Sequence, residues 1–272
     1  MEAVRSIAEG NATLKSAILS GKPFIASKMG AVEQAVIATN KNGKFNQWTQ
    51  ETAPINAGIT PANDETLKFF YTKYTDGLLH TDYLGVINND IDYPYEKGLV
   101  ERYCRNAKLF GNRFLEPFYF EHKWSDALAG KSVLVIHPFS WSIRNQYNKH
   151  FLSLPEFDLI TLKAAQTNGG GLSNSKPFID SFLEMQYDVL DADFDIALIG
   201  CGAYGLLLAD TIKSLGKQAI HIGGGLQIMF GIKGKRWDEH PEISKLYTDD
   251  WARPLESERT LDYKSVENGC YW

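Results

Sequence analysis

The side chains of this sequence that could do chemistry cluster directly after short apolar runs. Phe24-Ile25-Ala26-Ser27 gives way to Lys28-Met29-Gly30-Ala31-Val32-Glu33, which sets a cation, a glycine and a carboxylate close together. Glycine lets a backbone approach a ligand, and the helix that should follow offers free N–H groups to an anion. Glu33 falls in the first turn of that helix, where the dipole favours a carboxylate. It stabilises the helix there, or binds a divalent metal, holds a ribose or sugar hydroxyl, or acts as a base. A second run, Tyr83 to Ile87, leads into Asn88-Asn89-Asp90-Ile91-Asp92. Such amide and carboxylate groups coordinate a cation or hydroxyls, and they form turns equally well. A third, Ser132 to His137, opens onto Pro138-Phe139-Ser140-Trp141-Ser142-Ile143-Arg144. Ser140 or Ser142 could cap a helix, and Arg144 could grip a phosphate through two parallel N–H bonds.

Two further turns are rich in glycine. Ile199-Gly200-Cys201-Gly202-Ala203-Tyr204-Gly205 approaches a strand–glycine–helix turn, but its third glycine falls one place early for GxGxxG. The next apolar run ends in His221, where a dinucleotide site needs an acid for the ribose, so no NAD is expected. A phosphate or ribose cradle at a helix start remains. His221 itself reads as a strand-end histidine. It precedes Gly223-Gly224-Gly225, and three consecutive glycines mark a backbone that something approaches closely. Lys233, Lys235 and Arg236 then form the densest positive cluster, a solvated turn or a diphosphate contact.

These residues need a frame that brings strand ends together. The pattern predicts helices over about 2–20, 31–39, 63–75, 178–190 and 204–215, with residues 40–60 as loop. Strands are expected over 23–27, 83–87, 132–137, 157–162, 195–199 and 218–222. Strands alternating with helices predict an α/β, Rossmann-like fold, a mostly parallel sheet with helices on both faces. Ligands in such sheets collect beyond the carboxyl ends of the strands. One domain over 1–272 is expected, with a helical, aromatic annex around 90–130 and an extended tail from about 238.

Composition narrows the function. The 272 residues are 44% hydrophobic and 22% charged with a net charge of −5, which argues against a nucleic-acid partner. Three cysteines without C-x-x-C spacing predict free thiols and no zinc. Nothing suggests haem. No apolar run approaches the roughly 18 residues of a membrane span, and the amphipathic start is unlike a signal peptide, so a cytoplasmic protein is expected. Hydrolase elbows, a Walker A lysine and H-E-x-x-H are missing from the sequence.

Taken together, several segments resemble GT-D-type glycosyltransferases and their uncharacterised bacterial relatives. Lys28 to Glu33 resembles their R-x-G-x-x-E motif. The stretch from Ala197 to Trp237 ("LIGCGAYG", "LGKQAIH", "IGGGLQIMFGIKGKRW") is similar to their second signature, and "WARP…E…VENGCYW" to their tail. The resemblance implies a nucleotide-sugar donor, a saccharide acceptor and a role in surface-polysaccharide assembly. It places Gly30 and Glu33 on one wall of the donor site, with Gly200, Gly202, His221 and Gly223 to Gly225 opposite. The family pattern carries an Asp two places before the Glu, where this chain has Ala31.

The expected reaction is transfer of a sugar from a nucleoside diphosphate. Arg144, Lys233, Arg236 and the glycine-turn N–H groups would meet the charge developing on the diphosphate. Lys28, Ser140, Tyr204 and Gln227 complete the expected donor set. Glu33, Asp90 or His137 would take the acceptor's proton. Glu33 and Asp90 would hold Mg²⁺ or Mn²⁺, should a metal take part. A homodimer is compatible with the sequence. The rival readings are an inactive nucleotide-sugar-binding or assembly protein and a nucleotide-dependent oxidoreductase.

Overall fold

Local sequence sets the element boundaries. The structure, a computed structural model, describes residues 4–89, 91–149, 151–168, 176–266 and 268–272. Helix α1 (Ile7–Leu19) starts at Ser6, whose hydroxyl accepts the Glu9 N–H while the Glu9 carboxylate accepts the Ser6 N–H. This reciprocal cap fixes the start later than the apolar pattern suggests. Ahead of it, the Arg5 N–H donates to the Leu109 carbonyl at 2.9 Å, alongside the sheet.

Strand β1 (Phe24–Lys28) leads into α2 (Ala31–Ala38), α3 (Gln47–Thr52) and α4 (Asp64–Leu79). Then follow β2 (Tyr83–Val86), α5 (Glu96–Tyr103) and β3 (Lys108–Gly111). The second half runs β4 (Ser132–His137), α6 (Ser140–Tyr147), β5 (Asp158–Lys163), α7 (Phe178–Asp191), β6 (Ile196–Ile199), α8 (Tyr204–Ser214) and β7 (Gln218–His221). Two single turns, α9 (Leu226–Met229) and α10 (Lys235–Asp238), begin the tail.

Two elements differ from the sequence reading. Residues 40–60 hold α3, a polar helix without apolar periodicity, started by Asn46, whose side chain accepts the Thr49 N–H at 2.8 Å. The stretch 90–130 contributes β3, a four-residue strand at the edge of the sheet, paired with β2 and bridged on its other side by Arg5, and too short to show alternation.

Among the described residues the sheet has seven strands, all parallel, in the order β3-β2-β1-β7-β6-β4-β5. The chain walks outward from β1 to β3, crosses to β4 and β5, and returns through β6 to set β7 beside β1. Successive strand residues face opposite layers. Ile25, Leu134, Ile136, Ala197 and Ile199 pack with α4, α7 and α8 on one face. Ala26, Val133, Val135, Leu198 and Ile220 pack with α1, α6 and α9 on the other. A smaller cluster of Phe151, Ile228, Trp237, Ile243 and Trp251 ties the tail to the body. The pairings Ile136↔Ile199 and Ile199↔His221 leave the carboxyl ends of β4, β6 and β7 level, with β1 next in line.

Candidate functional site

A cleft of about 600 Å³ opens over these four strand ends. Lys28, Gly30 and Glu33 form its β1 side, and Gly223 to Gly225 line the same space from β7. The convergence is close: a Cβ at Gly223 would sit 3.5 Å from Lys28 Cε, and one at Gly200 would sit 2.9 Å from the Gly223 carbonyl oxygen. His137, Gly202, Tyr204, His221, Gln227 and Arg236 also line it.

Three predicted residues lie elsewhere. Ser140 and Arg144 are on α6 outside the cleft; the Arg144 guanidinium bonds Thr161 Oγ1 at 2.5 Å and stacks on Trp141. Lys233 lies over the Tyr247 ring, 5.3 Å from its centre. Asp90 lies outside the described residues. Its neighbours form a turn: the Asn89 side chain accepts the Ile91 N–H at 3.0 Å, and the buried Glu96 carboxylate accepts the N–H groups of Ile87 and Asn88.

Neither Ser140 nor Ser142 caps α6 with its side chain. The buried Glu258 carboxylate, from the tail, accepts the Trp141 N–H at 2.7 Å and the Ser142 N–H at 3.2 Å, and the Ser142 hydroxyl also donates to it. That helix start is therefore already neutralised. The start of α8 is different. Ala203 provides no side-chain cap, and the N–H groups of residues 201–204 have no acceptor among the described residues. Gly202, at φ +58°, has open space where a Cβ would be. This combination presents an uncapped dipole and free donors to the cleft, as an anion requires.

Glycines elsewhere in the site make room for side chains of the chain itself. A Cβ at Gly200 would meet His137 Cδ2 at 2.7 Å, and one at Gly205 would meet His221 Nε2 at 2.2 Å. In the triple-glycine turn, Gly223 takes φ +73°, Gly224 meets Tyr271, and Gly225 meets Glu116. The close approach that three glycines announce is thus made partly by the protein's own residues.

The two histidines are buried in the floor of the cleft and held neutral. Burial lowers His137 to about 3, and its Nδ1 accepts the Phe139 N–H at 2.9 Å. His221 is likewise lowered to about 3 by burial and by the nearby Lys28 charge, with Nδ1 3.1 Å from Ser27 Oγ. Glu33 behaves oppositely. Burial in the cleft wall raises its carboxyl above the usual carboxylate range, opposed by a bond from its own N–H. A raised carboxyl lies nearer the pH at which a base is effective. Lys28 pairs with Glu116 at 2.9 Å across the floor.

Gln227 is fully buried, and its amide nitrogen bonds the carbonyls of Ile232, Lys233 and Tyr271, so it holds the tail against the cleft. Tyr204 stacks on Phe178 with centroids 4.3 Å apart, and its hydroxyl lies 2.9 Å from Thr167 Oγ1. The sequence reading missed Glu116, Arg113, Tyr119, Tyr93, Tyr271 and Trp272, which also line the cleft. Asn112 to Tyr119 follow β3 as the other site loops follow their strands; recognising that strand would have pointed to them. Among the described residues no group of three His, Cys, Asp or Glu side chains could hold a metal ion, and no helix is long and apolar enough to cross a membrane.

In an open α/β sheet of this kind, ligands bind in the crevice beyond the carboxyl ends of the strands, where this cleft lies. No family model and no curated protein matches the sequence. Solved structures do share the fold. A selenomethionine-substituted domain of unknown function 1792 (DUF1792) superposes with a TM-score of 0.52 at 12% identity, over 96% of this chain and 92% of that one. A second DUF1792 structure, described as a distinct glycosyltransferase fold, gives 0.51 at 12% identity over the same shares. A glycosyltransferase (DUF1792) from Streptococcus sanguinis gives 0.51 at 11%, covering 97% of both chains. At such identities the likeness is one of fold.

Proposed function

We propose that this protein is a glycosyltransferase that moves a sugar from a nucleoside diphosphate to an acceptor hydroxyl in polysaccharide or glycoconjugate assembly. The observation that carries the reading is the uncapped start of α8 at Gly202, facing Glu33 across one cleft. The fold shared with the DUF1792 glycosyltransferase supports it. In this reading the diphosphate lies over the β6–α8 turn, where the N–H groups of residues 201–204 and Lys28 meet its charge. Glu33 takes the acceptor's proton as the acceptor oxygen bonds the anomeric carbon. The bond from that carbon to the phosphate oxygen breaks, and the nucleoside diphosphate leaves with its electron pair. Donors already in place when that charge develops are the largest source of such catalysis. Mg²⁺ or Mn²⁺ would find Glu33 as the cleft's free carboxylate, since Glu116 is engaged by Lys28. One carboxylate does not make a metal site.

Thermal melts with UDP-, GDP- and dTDP-sugars, with and without Mn²⁺, test donor binding. A donor at 100 times its Kd should add about 2.7 kcal/mol. No shift with any donor or free nucleotide overturns the reading. Glu33→Gln should keep donor binding and lower transfer about 10²–10⁴-fold. Ala31 favours a second reading, a nucleotide-sugar-binding protein without turnover. It predicts donor binding, no release of nucleoside diphosphate and no effect of Glu33→Gln.

A further inference from the structure

The acid opposite Lys28 has no part in the donor reading, yet several features of the chain combine to deliver it. After β3, the segment 112–119 turns back over β2 towards the middle of the sheet. It crosses at Gly85, where a Cβ would sit 2.9 Å from Asn112 Cα and 3.3 Å from the Phe114 ring. A side chain there would push the crossing away, which is the use of a glycine inside a strand. Phe114 is fully buried and anchors the segment against α1, where Gly10 leaves room for it in the same way. Glu116 then precedes Pro117, which favours extended backbone at the residue before it, and Glu116 is extended at φ −106° and ψ 94°.

The Glu116 carboxylate thereby reaches two other strand ends. Its Oε1 bonds Lys28 Nζ, at the end of β1, at 2.9 Å, and a Cβ at Gly225, beyond β7, would lie 3.2 Å from the same oxygen. Lys28 Cε in turn lies 3.5 Å from the Cβ position of Gly223, whose carbonyl oxygen is 2.9 Å from that of Gly200. Close contacts thus run from the pair to the strand end that opens the β6–α8 turn. The Lys28 and Glu116 side chains are 22% and 14% accessible, and both line the cleft. Each is the other's only ion-pair partner among the described residues. Charges so enclosed are screened little by salt and act on whatever enters the cleft.

A sugar nucleotide and the nucleoside diphosphate it leaves behind differ in charge. Once the sugar has gone, the terminal phosphate is a monoester with a second proton lost near about pH 6, so the product carries about one more negative charge at neutral pH. An unbalanced Lys28 would hold the more negative of the two, the product, more tightly. Glu116 offsets that preference.

We propose that Glu116 is a specificity-determining residue: by balancing Lys28 it keeps the cleft from holding a bare nucleoside diphosphate in preference to its sugar conjugate. The inference rests on the donor reading of the β6–α8 turn and adds to it the residue that tells donor from spent nucleotide.

Calorimetric titration of the intact protein with UDP, GDP and dTDP, with UDP-glucose, GDP-mannose and dTDP-glucose, and with inorganic pyrophosphate tests this. Glu116→Gln keeps the shape of the side chain and removes its charge. The bare nucleotide should then gain about tenfold in affinity relative to its sugar conjugate, the effect of one charge at close range. Lys28→Met leaves Glu116 unbalanced and should move the same ratio the opposite way. A pair that only ties the segment 112–119 to β1 would move the ratio alike in both variants, or leave it unchanged. Either of those results, in proteins of unchanged melting behaviour, overturns the proposal while nucleotide binding keeps the donor reading standing. Should the glutamine variant not fold, Glu116→Ala carries the same prediction. Pyrophosphate binding that is tightened in Glu116→Gln and weakened in Lys28→Met, with no nucleotide bound, sinks the donor reading and leaves Glu116 as the residue that balances Lys28. Failure of all three proteins to bind any of these compounds overturns both.

Discussion

At the scale of single residues, the cleft's floor holds two histidines that burial keeps from taking up a proton as the pH falls. His137 and His221 are kept neutral, each lowered from 6.5 to about 3. The unfolded chain binds their protons as pH falls below about 6.5, while the folded chain does not. Stability should therefore fall from pH 6.5 towards 3, by about 1.4 kcal/mol per unit for each histidine. Glu33 has the opposite sign, because the folded chain binds its proton first and loses stability as pH rises above 4.5. Urea midpoints at pH 7 and pH 5 should show a drop that His137→Asn reduces; equal drops in both proteins would contradict the neutral assignment. Gly205 offers a second probe. A methyl there would lie 2.2 Å from His221 Nε2, an overpacking that costs about 1–3 kcal/mol. Gly205→Ala should lower the Tm of the wild-type protein by several degrees, and by clearly less in a His221→Ser background. An undiminished loss in that background would show that the imidazole is not what the glycine accommodates.

At the scale of elements, Glu258 shows how the tail is tied to the body. Its buried carboxylate serves the N–H groups of Trp141 and Ser142 at the start of α6, and its own carbonyl accepts the Gln166 amide at 2.8 Å. Glu258→Ala would take the carboxylate away from the N–H groups of Trp141 and the buried Ser142, a loss of about 1–3 kcal/mol. For a chain of this size the Tm should fall by roughly 2–4 °C per kcal/mol. An unchanged Tm would mean that water satisfies α6 equally well. The same contact explains why part of the site was illegible in the sequence. Ser140 and Arg144 follow a strand as convincingly as Lys28 and Glu33 do, but an acid over a hundred residues away occupies their helix start. Long-range partners of that kind leave no mark on local spacing. The strands that were legible, β1, β2, β4, β5, β6 and β7, follow apolar runs, and those of β1, β4, β6 and β7 are buried on both faces. β3 and α3 were missed because one is a four-residue edge strand and the other a polar helix held by its cap.

At the scale of the whole molecule, the strand order itself makes the site. Sequence patterning showed parallel strands with glycine turns at their ends, but not that β7 returns beside β1. That return brings Gly30 and Gly223, far apart in sequence, into one cleft. Nor did patterning show that the tail doubles back to supply a wall, since its packing comes from scattered aromatics. The tail packs through a small cluster distinct from the two sheet layers, in which Ile243 and Trp251, the latter only 5% exposed, meet Phe151 and Ile228 of the body. Regions with their own small core open independently of the body that carries them. Trp251→Ala removes a large buried side chain, a change that costs about 3–5 kcal/mol in a well-packed core. If the tail is such a unit, hydrogen exchange in that variant should accelerate over 231–266 while the amides of β4, β6 and β7 keep their protection. Acceleration spread evenly through the sheet would show instead that tail and body fold as one.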